Sequence, residues 1–321
     1  MSGAFGTACE LLPGLIPSTL PRLVVIKPNL CDIASWETGV TTDPRWLSVL
    51  AAKLRAIRPD AKILVVESDA ISAYKTYRSC DETFERLGFV EAAKNAGVEL
   101  VNLSKANPIE LQLPCIPYPV RIPELFLEEM YFISIANLKL HVYTRMTGIL
   151  KNSIGLLTDA DVSSLHPFLS LLIAGLHVLM PPDLCIIDGR IGLEGQGPII
   201  GNPVRANCLL VGRDALAVDE AACRFMGISA DEVAHICETA RRMRRRLGQI
   251  EVIGDAHLRP FHFSALETHL AIQRKFANRR FHQRLESFTA RWLARAFLLK
   301  QSPFTYLRVA VPKLARRMGG K

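Results

Sequence analysis

Between Asn137 and Gly155 the chain places Lys139, His141, Arg145, Lys151 and Asn152 in a short span that holds no Asp or Glu. The run before it, Tyr131 to Ala136, is largely apolar and reads as a buried strand. Cations gathered just past a strand end suit an anionic ligand in a crevice at the carboxyl edge of an α/β sheet. Lys27 and Asn29 end a second apolar run, and Pro28 between them turns the chain out of the ladder. The chemistry expected is recognition of a carboxylate or phosphate by Lys27, Asn29, Lys139, Lys151 and Asn152. His141, whose ring titrates near neutral pH, is the expected proton carrier, with His166 as a second imidazole flanking the Lys151-Asn152 pair. His177, inside an apolar run, reads as core. Each cation also has a plainer reading as a solvated side chain, and each histidine as a satisfied core group.

Acids recur at other strand ends. Cys185-Ile-Ile-Asp188 runs into a glycine-rich stretch ending at Gly201 that contains Glu194. Asp188 and Glu194 could take a proton or bind a divalent metal, and the glycines would form a loop that lets a ligand approach closely. The stretch lacks the Gly-Lys-Ser/Thr ending of a phosphate-binding loop, and Pro198 interrupts it. Asp214 reads as a helix N-cap; Asp219, if turned inward, would be a buried charge in need of a cation such as Lys27 or Lys151.

The elements that must position these groups alternate. Leu23–Lys27, Lys62–Glu67, Val98–Val101, Tyr131–Ala136, Leu184–Ile187 and Cys208–Val211 read as strands. Pro44 to Ile57 has helical spacing after a Thr42-Asp43 start signal, and a helix is expected from Cys80 to Ala96, stopping at Gly97. The fold class is therefore α/β: a mostly parallel sheet with helices on both faces. The five prolines of 107–123 mark an edge excursion. Residues 1–21 form a lead, 22–254 the α/β domain and 255–321 a basic helical tail.

The chain is 49% hydrophobic and 22% charged, ordinary for a globular protein. Its net charge of +8 is uneven: the tail from Asp255 carries fourteen Lys/Arg against three Asp/Glu, leaving 25 basic against 28 acidic groups in 1–254. Basic character thus belongs to the tail, whose Leu285, Phe288, Trp292, Ala296 and Leu299 share one helical face. That face either packs on the body or meets a membrane surface or protein partner; nucleic acid is disfavoured by the slightly acidic body. No two of the eight cysteines make a CxxC pair, so no intrinsic iron–sulfur cluster or zinc ribbon is expected. Scattered free thiols, no leader pattern and no apolar run of bilayer length lead to an expectation of a cytoplasmic protein, at most peripherally membrane-associated.

Six segments occur in order: Ile26-Lys-Pro-Asn-Leu30, Thr41-Thr-Asp-Pro44, Val65-Val-Glu-Ser68, Asn137-Leu-Lys-Leu-His141 with Thr147 to Gly155, Ile187-Asp-Gly189 with Glu194 to Pro198, and Asp214 to Asp219. Together they resemble the family called domain of unknown function 362, over roughly residues 22 to 228. Many members carry a ferredoxin-like cysteine cluster; this chain departs from them in lacking it. The resemblance implies no reaction. The residues themselves lead to two expectations. One is an enzyme acting by proton transfer on a small anionic substrate, with metal assistance left open; the other is a non-catalytic accessory protein for cofactor or iron–sulfur assembly, docking through its tail.

Overall fold

The computed structural model describes residues 12–71, 77–114, 116–159, 162–254 and 258–263. The chain divides into two units, residues 1–110 with 121–264 and residues 111–120 with 265–321. In the second, the described stretch is a short turn in which Gln112 Nε2 donates to the carbonyl oxygens of Leu113 and Ile116. The helices and docking face expected in 256–321 lie almost wholly outside the described residues.

The first unit opens with Leu23–Lys27 (β1), Trp46–Ile57 (α1), Lys62–Glu67 (β2), Ala70–Ile71 (β3), Tyr77–Arg78 (β4), Cys80–Arg86 (α2), Phe89–Ala96 (α3) and Glu99–Asn102 (β5). Pro108–Leu111 (β6) and Val120–Pro123 (β7) form a ribbon off the main sheet, where the prolines predict an excursion. Then come Met130–His141 (β8), Arg145–Thr147 (β9), Ile149–Asn152 (α4), Leu169–Leu179 (α5), Leu184–Glu194 (β10), Asn202–Val204 (β11), Cys208–Gly212 (β12), Ala215–Phe225 (α6) and Ala234–Arg242 (α7).

The main sheet runs β5-β2-β1-β8-β10-β11, with β5, β2, β1, β8 and β10 mutually parallel. β9 pairs antiparallel with β8, and β11 and β12 pair antiparallel with β10. Every residue of β1 and β8 is buried, as strands covered on both faces must be. On one face Trp46, Leu47, Leu50 and Leu54 of α1, with Phe84 and Phe89, pack on Val24, Ile26, Val65, Ile133 and Ile135. On the other, Ile149, Leu150, Ile173, Leu216 and Ile236 pack on Ala136, Leu138, Cys185 and Ile187. Each such side chain contributes about 1.5–3 kcal/mol relative to an exposed one. The α/β class expected from the strand–helix alternation is the observed one.

Several local expectations change. The strand expected to end at Ala136 runs on to His141, so Lys139 and His141 lie within it and not past its end, and the helix expected from Pro44 begins at Trp46 with no side-chain cap. The helix from Cys80 to Ala96 is two helices, because Gly88 adopts φ 76° between them; its stop at Gly97 holds. The glycine-rich stretch after Asp188 is largely strand, since β10 continues to Glu194. Its glycines serve packing there: a Cβ on Gly189 would stand 2.4 Å from Cys208 Sγ, and one on Gly192 2.6 Å from the Phe261 ring.

From β1 the chain winds outward to β2 and β5; from β8 it winds the other way to β10. The sense of winding therefore reverses between β1 and β8, and a crevice opens at the carboxyl ends of strands that part in this way. The register pairs Lys27, the last residue of β1, with Ser134, after which β8 runs on to His141. Asn137, Lys139 and His141 thus lie three, five and seven residues along β8 past Ser134, on the part of that strand that extends beyond the end of β1. Among the described residues no helix is long and apolar enough to cross a membrane.

Candidate functional site

At the end of β1 the Lys27 ammonium is only 1% exposed and donates to Glu67 Oε2 at 2.6 Å and to the Pro28 carbonyl at 2.7 Å. A buried ion pair of this kind is held by its partner, so the Lys27 charge is spent inside the fold. The expectation of Lys27 as an anion-binding ammonium thus meets a carboxylate already in place. Asn152 joins the two central strands. Its Nδ2 donates to Lys27 O, Ser134 Oγ and Ile135 O, and its Oδ1 accepts from Asn29 Nδ2 at 3.1 Å and Lys27 Nζ at 3.4 Å. Gly155 allows this approach: a Cβ there would stand 2.2 Å from Glu67 Oε1.

Lys151 and Asn152 ride on α4, a single turn whose position is set from below. Asp219 of α6 is fully buried, and its carboxylate accepts from the N–H groups of Ile149 at 2.7 Å and Leu150 at 3.0 Å. Burial pushes this carboxyl up to about 7, against the opposing pull of those two N–H donors. The cation expected beside Asp219 is replaced by backbone amides. Gly148 is required at the turn, since a Cβ would fall 2.2 Å from Asp219 Oδ1. Asp214, as expected, caps α6 by accepting from Ala217 N.

Beyond the end of β1 stand two lysines with no carboxylate partner among the described residues. Lys139 is fully buried and donates to Val40 O at 2.6 Å and Cys31 Sγ at 3.1 Å. Lys151 is partly exposed yet crowded by protein, and among the described residues no hydrogen bond or ion pair engages its amine. Burial lowers it to about 8, and the neighbouring Lys139 ammonium adds to the effect against the opposing influence of Cys31. His141 is held well below its ordinary range, first by burial and then by Lys151 and Lys139. Its Nδ1 accepts from the backbone N–H groups of Tyr143 and Thr144, at 3.1 and 3.3 Å. The neutral ring therefore carries its proton on Nε2.

Sequence reasoning missed three members of this group. His235 of α7 is fully buried, feels the charge of Lys151 and is pushed down to about 3 by burial; neither of its ring nitrogens has a partner. Thr147, opposite Lys139 in the β8–β9 pairing, has a buried hydroxyl with no partner among the described residues, and the amide oxygen Oδ1 of Asn29, next to Asn152, likewise has none. The third is Cys31, under Lys139. A histidine on the apolar face of an amphipathic helix was a readable sign of His235. The pairing of Thr147 with Lys139 required the hairpin.

The remaining expected residues lie further along the belt. Asp188 accepts from Trp46 Nε1 at 2.8 Å and from the Arg190 guanidinium, which also reaches Asp43. Thr42, beside Asp43, accepts from Asn29 N and donates to Asn137 Oδ1, so this acid cluster adjoins the amide cluster. Glu194 stands apart, its Oε2 accepting from His262 N. Arg145 pairs with Glu232. His166 is exposed and reaches His141 only by way of the Tyr143 ring, at centroid spacings of 6.5 and 6.0 Å. His177 is buried, as expected of a core residue. Among the described residues no group of three or more His, Cys, Asp or Glu is disposed to hold a metal ion.

The fold and this belt define an α/β protein with lysines and buried polar groups gathered beyond the reversal point of a mostly parallel sheet. A family model described as domain of unknown function (DUF362) matches residues 24–224, well over half of the chain. The chain belongs to that family. A search of curated proteins finds no match.

Lys27→Met should cost about 3–5 kcal/mol in chemical denaturation by stranding Glu67 in the interior, and adding Glu67→Leu should recover most of it. Gly148→Ala should cost about 1–3 kcal/mol by pushing Asp219 off its two N–H donors. Gly14→Ala, with open space around it, should stay within about 0.5 kcal/mol of wild type.

Proposed function

We propose that this protein is an enzyme that binds a small anionic substrate, a carboxylate or phosphate, between the ends of β1 and β8 and transfers a proton there. One observation carries the reading. Lys139 and Lys151 have no carboxylate partner among the described residues, and buried polar groups on the elements that carry and flank them lack partners there: Asn29 Oδ1, Thr147 Oγ1 and both nitrogens of His235. A buried polar atom without a partner costs about 1–3 kcal/mol, so several around one spot favour a ligand that satisfies them. The other two such atoms, Tyr131 OH and Glu220 Oε1, belong to the opposite end of β8 and to α6.

Lys139 supplies positive charge to the anion and Asn29 the second N–H of its Nδ2, while the N–H groups of Asn152 are already given to Lys27 O, Ser134 Oγ and Ile135 O. His141 presents Nε2–H as a hydrogen-bond donor to an oxygen that gains charge during reaction. Lys151, titrating near neutral pH, suits the proton transfer better than Asp188 or Glu194, which are engaged by Arg190 and by a backbone amide.

A thermal-shift screen of carboxylates and phosphates tests this, since a ligand that favours the native state raises its melting point. Lys151→Met should abolish the shift yet raise the melting temperature of the free protein at pH 7, because it removes a charge that folding desolvates. The sign follows from the lowered titration of Lys151. Between about 8 and its unfolded value the unfolded chain binds more protons, so stability should rise with pH in that window for wild type and not for the variant. Ligand affinity should fall above pH 8 as the ammonium discharges. Equal ligand shifts in wild type and Lys151→Met would sink the reading.

A further inference from the structure

A lysine that binds an anion and a lysine that attacks a carbonyl carbon need different surroundings. An attacking amine must escape any carboxylate partner, must shed its proton near neutral pH, and needs a second cation close by to disfavour its charged form. Lys151 has these surroundings. Among the described residues no hydrogen bond or ion pair holds its amine, its turn is fixed by Asp219, and the titratable groups that act on it or feel its charge are Lys139, Cys31, His141 and His235. Its neighbour Lys139 gives two of its three N–H bonds to Val40 O and Cys31 Sγ and keeps one, opposite the unpartnered Thr147 hydroxyl.

We propose that Lys151 forms an imine with a small 2-oxo carboxylate, the carboxylate being held by Lys139 and Thr147. This rests on the crevice being an anion site, and it names the class of anion. The free amine adds to the keto carbon, forming a C–N bond while the carbonyl π electrons move to oxygen, toward the Nε2–H of His141. The nitrogen gives one proton to the resulting carbinolamine oxygen, and as the C–O bond breaks that oxygen takes a second proton from solvent and departs as water, the nitrogen keeping its other proton. A protonated imine remains, and it is an electron sink for proton removal at the carbon next to it. A phosphate alone offers no electrophilic carbon, whereas a 2-oxo acid uses the ammonium, the hydroxyl, the imidazole and the amine together.

Incubating the full-length chain with pyruvate and sodium cyanoborohydride, followed by peptide mass spectrometry, tests the step. The expected result is a reduced pyruvyl adduct on Lys151 forming about tenfold or more faster than on any other lysine. Labelling at that position should rise with pH toward a plateau above about 8 and should fall in Lys139→Met. Lys151→Met and Lys151→Arg should both lose the fast-labelled peptide. Adducts spread evenly over surface lysines would overturn the proposal. So would a thermal shift with pyruvate, lactate and phosphate alike without labelling of Lys151, although the anion site would then stand. No shift with any of the three and no labelling would end both.

Discussion

A single buried carboxylate, Asp219, fixes the turn on which the site depends. Its two oxygens accept the first N–H groups of Ile149–Asn152 and so position a helical turn too short to hold itself. From that turn Asn152 reaches down to bridge the end of β1 and the middle of β8, while Lys151 stands near Lys139. Burying a carboxylate without a cation is expensive, and the rise of its titration to about 7 is the sign of that cost. The exchange is geometric: two adjacent residues are placed against the sheet with no loop freedom between them.

Charge at the sheet edge is sorted. Lys27 and Arg190 face carboxylates and hold the framework together, Lys27 through Glu67 and Arg190 through Asp43 and Asp188. Lys139 and Lys151 face thiol, carbonyl, imidazole and hydroxyl groups instead. Two neighbouring ammonium groups in a crowded, acid-free pocket raise each other's energy, and an anion relieves both. Framework and pocket therefore use the same residue type for opposite purposes, and only the partner tells them apart.

Much of this was readable from residue order. The apolar runs ending in Lys27 and Ala136 marked two central strands, but the cations expected just past the second are partly inside it, since β8 continues through Lys139 to His141. What the sequence could not give was pairing. Lys27 and Lys151 are equivalent in sequence, each beside an amide at a strand or turn, yet one meets Glu67 from forty residues away and the other meets no acid. The glycine pattern after Asp188 misled for a related reason: in β10 those residues answer to Cys208 and Phe261, which approach from distant segments, and local chain composition carries no record of them.

The antiparallel hairpin of β8 and β9 places Lys139 across from Thr147, with Lys151 one helical turn further on. Bringing these groups together closes only a short loop, at small entropic expense. The framework acids Glu67 and Asp219 meet partners 40 and 70 residues away, and so depend on elements that are distant in the chain. The cationic half of the crevice is thus a local object and its acidic scaffold a global one, so substitutions remote in sequence would loosen the mounting of the pocket before altering its chemical lining.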